Sequence, residues 1–171
     1  MMRSIKPIDL NKENFQTFGE VIEINGNDFI VINKGYAHKY YNLCNLDCNE
    51  KGGMATLHLY EGKQRKFPLK IDMMEKHPHF TQTFMPRSKE PFLVAVALGK
   101  EEPDLETLQV FKTNGQQGVH YKKGIWHFPL ISLKQDEIFI VIDRNDFGKS
   151  ENKLEDCIEL DIKEPIEIVI E

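Results

Sequence analysis

Short runs of apolar residues recur along most of the chain, and turn-forming residues separate them at intervals of about ten residues. The apolar residues are mostly β-branched or aromatic, and the separating stretches contain Gly, Asn, Asp or Pro. This pattern predicts roughly ten strands without long helices between them, which is typical of a β-sandwich or closed barrel. The segments predicted as strands are DFIVIN, MATLHLY, FPLKI, TQTFM, PFLVAVAL, LQVFK, WHFPLIS, EIFIVID, CIELDI and IEIVI.

The N-terminal segment DLNKENFQTFGEVIE is the one part of the chain with a helical pattern. Asp9 or Asn11 can cap the helix, and Phe15 and Phe18 lie on one of its faces. Gly19 is placed to end the helix in the left-handed conformation. We therefore predict one short helix before the strands begin.

The C-terminal segment IKEPIEIVIE has the alternation of a strand with exposed acidic residues. Such a strand can pair with the sheet edge of a second copy, or it can form an edge strand of its own sheet. The chain shows no repeat, low-complexity segment or linker, so we expect residues 1–171 to form a single all-β domain.

Composition and charge narrow the function classes. Apolar residues make up 40% of the 171 residues and charged residues 29%, which is ordinary for a globular protein. The formal net charge of -5 and the absence of a Lys/Arg block argue against nucleic acid or an anionic membrane as partner. The longest apolar run, FLVAVALG, is too short to span a membrane.

The N-terminus and the cysteines bear on the compartment. The first residues, MMRSIKPIDL, lack the apolar region of a signal peptide. The three cysteines, Cys44, Cys48 and Cys157, are an odd number without a disulfide framework. We interpret them as reduced thiols and expect a cytoplasmic protein.

The first candidate for chemistry is the segment EKHPHFTQTFMP, residues 75–86. Pro78 disfavours helix at His77 and introduces a bend, and the chain becomes extended from Thr81 onward. Glu75, His77 and Gln82 then lie on both sides of a turn that leads into a strand. Three nitrogen or oxygen donors could thus reach one barrel mouth from a single short segment.

The second candidate is the segment NGQQGVHYKKGIWHFPL, residues 114–130. His127 follows Gly124 by three residues and alternates with Trp126 and Phe128, which the strand period places on the opposite face. A polar residue between two aromatic residues is expected to face a cavity.

The two segments together resemble the metal-binding motifs of cupin barrels. The spacing of Glu75, His77 and Gln82 matches the spacing of the ligands in the first motif. The spacing of Gly124 and His127 matches the second motif. Two ligand types differ, because Glu replaces the first His and Gln replaces the usual Glu. The alternative register that begins His77-x-His79 lacks an acidic residue at the required distance and is less favoured.

The amino-acid sequences of the segments and their order resemble the ureidoglycolate lyase family over about residues 15–145. The segments that carry the resemblance are NFQTFGEVIE, FIVINKG, EKHPHFTQTFMP, the stretch from FLVAVALG to WHFPL, and FIVIDR. The resemblance implies a cupin-like β-barrel or double-sheet jelly roll and cleavage of ureidoglycolate to glyoxylate and urea. It also implies a homodimer and a divalent metal, with nickel as the suspected ion, and no nucleotide cofactor is expected.

The implied reaction defines what the site must contain. Ureidoglycolate carries a hydroxyl, a carboxylate and a urea nitrogen on one carbon. Its lysis needs a base near the hydroxyl, a donor for the departing nitrogen and a cradle for the carboxylate. The metal ligands expected from the family register are Glu75, His77, Gln82 and His127.

We expect His77, His127 and Tyr121 to act in catalysis. In the absence of a metal, His127 is the natural general base and Tyr121 donates to or orients the substrate. The residues expected to bind the substrate are Gln82, Lys122, Lys123, Arg144 and Asn33, of which Asn33 could equally be a turn amide.

One position departs from the family pattern. The resemblance implies an Arg shortly after the strand ATLHLY, where this chain has Glu61, with Arg65 four residues later. If that Arg binds the carboxylate, Arg65 must take its place or a lysine must do so. The changed ligand types leave open a second function, a non-enzymatic cupin-like module that binds a small acid.

Overall fold

About half of the chain (51%) lies in strands and almost none in helix, in agreement with the predicted all-β, cupin-like fold. The computed structural model describes residues 3–145 and 156–170. The elements in chain order are β1 (Ser4–Ile5), β2 (Ile8–Asp9), α1 (Lys12–Phe15), β3 (Gly19–Ile22), β4 (Phe29–Ile32), β5 (Ala37–Tyr40), β6 (Ala55–Gly62), β7 (Leu69–Lys76), β8 (Gln82–Pro86), β9 (Phe92–Leu98), β10 (Asp104–Lys112), β11 (Gly118–Tyr121), β12 (Trp126–His127), β13 (Ile131–Ser132), β14 (Glu137–Arg144) and β15 (Ile158–Ile168).

Two curled sheets and one hairpin contain these strands. The larger sheet has the order β1-β15-β7-β12-β9-β10-β2, with β13 also paired to β9. The smaller sheet has five strands in the order β3-β11-β8-β14-β6. Strands β4 and β5 pair with each other as a separate two-stranded sheet.

Two hydrophobic cores lie on the two faces of strand β9, because its side chains alternate between them. Phe92, Val94 and Val96 belong to the core that includes residues of the five-stranded sheet. The alternate residues of β9 belong to the second core, within the larger sheet, together with Trp126 and Ile71. The first core is the one that continues into the candidate site.

The five-stranded sheet has a second face that carries apolar residues. The register pairs Leu57 with Ile142 and Leu59 with Ile140, and Met85 also pairs with Ile140. Leu57 and Leu59 are each 60% exposed. We call Leu57, Leu59, Met85, Ile140 and Ile142 the outer face, since their strand neighbours point into the core.

The N-terminal helix is present but short. Its cap is Asn11, whose side chain accepts from the Asn14 backbone while the Asn14 side chain accepts from the backbone of Asn11. The prediction that Gly19 ends the helix in the left-handed conformation was wrong, because Gly19 begins β3. Its Cβ would collide with the backbone oxygen of His120, so this glycine permits close pairing of β3 with β11.

The C-terminal segment is part of the protein's own larger sheet. Its residues continue β15, which pairs antiparallel with β7 and parallel with β1. Of the two alternatives, the intramolecular pairing is therefore the one observed, although β15 lies inside the sheet rather than at its edge. In the described part of the chain, no helix is both long and apolar enough to cross a membrane.

Candidate active site

The candidate site forms where the short strand β12 lies between β7 and β9. This pairing sets His127 opposite Glu75 on β7 and opposite Val96 on β9. Strand β7 ends at Lys76, and the turn after it carries His77 before β8 begins at Gln82. The two segments singled out in the sequence are thus adjacent in space.

Glu75, His77 and His127 bring their donor atoms together. One side-chain donor atom from each of the three lies within 4.8 Å of the others. The rings of His77 and His127 have centroids 5.1 Å apart, and Nε2 of His127 lies 3.3 Å from Oε1 of Glu75. Tyr121 stacks on His127 with a centroid distance of 4.7 Å.

Backbone contacts determine which ring nitrogen of each histidine faces the cluster. Nδ1 of His77 lies 3.0 Å from the carbonyl oxygen of Asp156, and Nδ1 of His127 lies 3.0 Å from that of Ile125. Because a carbonyl oxygen only accepts, each Nδ1 is the donor and each neutral ring presents an Nε2 lone pair. Both Nε2 atoms are buried without a hydrogen-bond partner among the described residues.

The protonation states suit a cation. Burial, with the nearby His127, lowers the pKa of His77 to about 4, so its ring is neutral at physiological pH. Burial raises the pKa of Glu75, but the adjacent His127 and His77 outweigh burial and leave it below the ordinary value. Burial also raises the pKa of Tyr121, which keeps its hydroxyl protonated. The Glu75 carboxylate and the imidazole rings of His77 and His127 converge at one point, and such a set of ligand types fits a divalent metal.

Gln82 and Asp143 form the wall beside this cluster. Nε2 of Gln82 donates to Oδ2 of Asp143 at 3.0 Å, and Oδ1 of Asp143 lies 3.1 Å from Nε2 of His58. The side chain of Gln82 also interacts with His77. Its oxygen Oε1 is buried without a hydrogen-bond partner in the described ranges.

The cluster opens into a cavity of about 740 Å³. Aromatic residues, among them Tyr60, Phe84 and Phe128, line its walls, and Lys63 and Arg65 line it as well. The guanidinium carbon of Arg65 lies 5.6 Å above the ring of Phe128. A cavity of this size with a few convergent polar groups is typical of a small-molecule site.

Several expected substrate-binding residues do not line this cavity. Nζ of Lys122 donates to the carbonyl oxygen of Gln16 at 2.6 Å. Nζ of Lys123 forms ion pairs with Asp47 at 2.9 Å and with Glu50 at 3.2 Å. Both lysines are therefore engaged in contacts outside the cavity.

Arg144 and Asn33 also lie away from the cavity lining. Nη1 of Arg144 donates to Oδ1 of Asp156 at 2.8 Å, and Nη2 donates to the carbonyl oxygen of Lys51 at 3.2 Å. Asn33 begins a 3-10 turn between β4 and β5 with a positive φ of 51°. Its position agrees with the alternative reading as a turn residue.

The sequence reasoning missed Asp143 and Lys63 as cavity residues. Asp143 lies one residue before Arg144 on β14, so alternation along the strand points the two side chains to opposite faces. The register that pairs Val141 with Phe84 places Asp143 on the same face as Gln82. The alternation of side chains along β14 is the sequence signal for Asp143, because it places Asp143 on the face of the sheet that carries Gln82.

The pKa of His77 gives a prediction for stability. Its pKa is about 6.5 in the unfolded chain and about 4 in the folded protein, so the unfolded chain binds the proton first as pH falls. Between pH 6.5 and pH 4.5 the free energy of unfolding of the metal-free protein should fall by roughly 2–3 kcal/mol through this residue. His77→Gln should remove that part of the loss in urea unfolding with a chelator present. Identical slopes against pH in both proteins would contradict this assignment.

Comparison with known proteins identifies the family of this chain. A family model described as ureidoglycolate lyase matches residues 2–169. A protein of Pseudomonas paraeruginosa named ureidoglycolate lyase is 36% identical over 87% of this chain and 88% of its own length. One of Azotobacter vinelandii with the same name is 39% identical over 85% of this chain and 86% of its own length. The chain therefore belongs to the ureidoglycolate lyase family.

Proposed function

We propose that this protein is a ureidoglycolate lyase that cleaves ureidoglycolate to glyoxylate and urea, a carbon–nitrogen lyase of the amidine-lyase type. The observation that carries the proposal is the convergence of Glu75, His77 and His127 in an aromatic-walled cavity. Family membership supports the same activity and does not favour the alternative of a non-enzymatic binding module. The reaction requires no nucleotide cofactor.

The residues present fit a divalent metal, because two buried imidazoles and a carboxylate bring their ligand atoms within 4.8 Å of one another. Glu75, His77, Gln82 and His127 would hold it, and nickel is our proposed ion. When bound, a divalent metal acts as a Lewis acid that makes the substrate hydroxyl more acidic.

The chain's own residues account for the remaining requirements. In the metal-free protein, Nε2 of His127 is the proton acceptor, since its lone pair faces the cavity beside Glu75. The protonated hydroxyl of Tyr121, which lines the same cavity, orients the substrate by donating to it. As the hydroxyl carbon–oxygen bond becomes the carbonyl of glyoxylate and the carbon–nitrogen bond breaks, His127 donates the proton that it accepted to the departing urea nitrogen.

Arg65 is our proposed partner for the substrate carboxylate. It lines the cavity, and its guanidinium offers the planar pair of donors that binds a carboxylate. Lys63 is also present, but its Nζ is already held by Glu61 at 2.8 Å and by Asp136 at 2.6 Å. Arg65 thus takes the place of the Arg that the family resemblance implies nearer β6, where this chain has Glu61.

We also propose a homodimer and a cytoplasmic location. The exposed apolar residues of the outer face support the homodimer, because such a patch on a sheet is a site for association. The family resemblance favours a second copy as its partner. The three cysteines are free thiols, which supports a reducing compartment.

The activity itself is tested by urea and glyoxylate release from ureidoglycolate. His127→Ala should lower kcat/KM by about 10²-fold or more, because it removes a proton acceptor or a metal ligand. His38→Ala, on the separate hairpin, is the control and should retain activity. Adding a chelator and then nickel separates the two roles, since loss and recovery of activity indicate the metal. Wild-type release no faster than the uncatalysed reaction would refute the function.

Arg65→Met should raise KM for ureidoglycolate by roughly 10–100-fold, since a charge-assisted hydrogen bond contributes about 1.5–3 kcal/mol. The value of kcat should change less, because the carboxylate does not react. Arg87→Met, at an exposed position outside the cavity lining, is the matched control. An unchanged KM in Arg65→Met would show that another group binds the carboxylate.

The homodimer is tested by placing charges on the outer face. Leu57→Lys together with Leu59→Lys should convert the dimer to a monomer in light scattering coupled to size-exclusion chromatography, because lysines would be buried on association. Leu46→Lys, a similarly apolar exposed position outside that face, should leave the dimer intact. A dimer that survives the double substitution would exclude the outer face as the interface.

A further inference from the structure

Gln82 is the one proposed metal ligand whose side chain has two chemically different ends. Only its oxygen Oε1 can bind a cation, whereas its NH₂ group can only donate hydrogen bonds. The two ends are nearly equal in shape, so packing alone does not choose between them. Something in the protein must fix the amide with its oxygen toward His77 and His127.

The carboxylate of Asp143 provides that constraint. It has only acceptor oxygens, so the end of Gln82 that lies 3.0 Å from Oδ2 must be the NH₂ group. Both side chains are deeply buried, Gln82 being 5% exposed and Asp143 8% exposed. Turning the amide over would place two buried oxygens against each other, which is strongly unfavourable.

The other end of Gln82 accordingly faces the cluster. Oε1 is buried without a hydrogen-bond partner among the residues described, and Gln82 lines the same cavity as His77 and His127. With the amide reversed, its NH₂ group would instead donate to an Nε2 lone pair of the histidine cluster. That hydrogen bond would occupy a lone pair needed for a cation.

His58 contacts the carboxylate of Asp143 from the next strand of the sheet. Its Nε2 lies 3.1 Å from Oδ1 of Asp143, whereas Gln82 donates to the other oxygen, Oδ2. His58 comes from β6, Asp143 from β14 and Gln82 from β8, which are consecutive strands of the smaller sheet. The three side chains therefore form a row across the sheet that ends at the cluster.

We infer that Asp143 is a positioning residue that holds the Gln82 amide with Oε1 toward the metal-binding cluster. The inference rests on the proposed function, in which that cluster binds a divalent cation. It assigns to Asp143 an effect on cation affinity without any contact to the cation or the substrate.

The test exchanges the two groups. In Asp143→Asn, the new amide keeps its oxygen toward His58 and turns its NH₂ toward Gln82, which favours the reversed Gln82 amide. In Asp143→Asn with Gln82→Glu, the carboxylate at position 82 accepts from Asn and presents an oxygen to the cluster whichever way it turns. The net charge of the double variant equals that of the wild type.

The primary measurement is the affinity for Ni²⁺ in metal-free protein, by isothermal titration calorimetry. Asp143→Asn should weaken Ni²⁺ binding by about 10–100-fold, as removal of a ligand's hydrogen-bond partner commonly does. The double variant should restore binding to at least the wild-type affinity. Melting temperatures of all variants show whether the fold is retained, and kcat and KM are measured on the same samples.

Two further variants control the interpretation. Gln82→Glu alone leaves two buried carboxylates in contact, so it should bind Ni²⁺ less tightly than the double variant does. Equal affinity of the two variants would mean that the added negative charge, and not the orientation of the side chain at position 82, explains the rescue. Asp161→Asn, an exposed position on β15, should bind Ni²⁺ as the wild type does.

Wild-type affinity in Asp143→Asn would overturn the inference, and so would a folded double variant that fails to recover. A wild-type protein that binds no Ni²⁺ would overturn it as well. If Ni²⁺ binds and its affinity depends on Asp143, but ureidoglycolate is not cleaved, only the proposed function is refuted. The inference about Asp143 then still holds.

Discussion

The site depends on the pairing of a two-residue strand. Trp126 and His127 pair with β9 on one side, and His127 pairs with Glu75 of β7 on the other. Within this pair Trp126 is completely buried in the second core, which holds the strand in place. Since adjacent strand residues point in opposite directions, the burial of Trp126 turns His127 toward the cavity. A hydrophobic contact on one face of the sheet thereby fixes the geometry of the candidate site on the other.

Alternation also explains how much of the site could be predicted. The segments around Glu75, His77, Gln82 and His127 carried a recognisable spacing, and the structure brings their side chains to one cavity. The fold class followed from recurring short apolar runs with turn residues between them. Both predictions rest on the alternation of side chains and on turn residues, and these patterns can be recognised within a short stretch of sequence.

The sequence did not show which cationic residues line the cavity, because a lysine or arginine can pair with a carboxylate at any separation along the chain. Lys122 and Lys123 lie close to His127 in sequence, yet their charges are directed to Gln16, Asp47 and Glu50. Those partners come from distant parts of the chain, so only the tertiary structure reveals that the lysines are engaged. The structural role of Gly19 was likewise invisible, since its need for space comes from the neighbouring strand β11.

The short strand β8 contributes side chains to two different surfaces of the protein. Gln82 and Phe84 belong to the cavity wall, while Thr83 and Met85 point toward the outer face. A single inserted or deleted residue here would exchange the two sets, because the side-chain period is two. Such a slip would put an amide and an aromatic ring on the outside and a methionine into the cavity. The turns that flank β8 can therefore take a change of length that the strand itself cannot, whereas a substitution within β8 alters one of the two surfaces at a time.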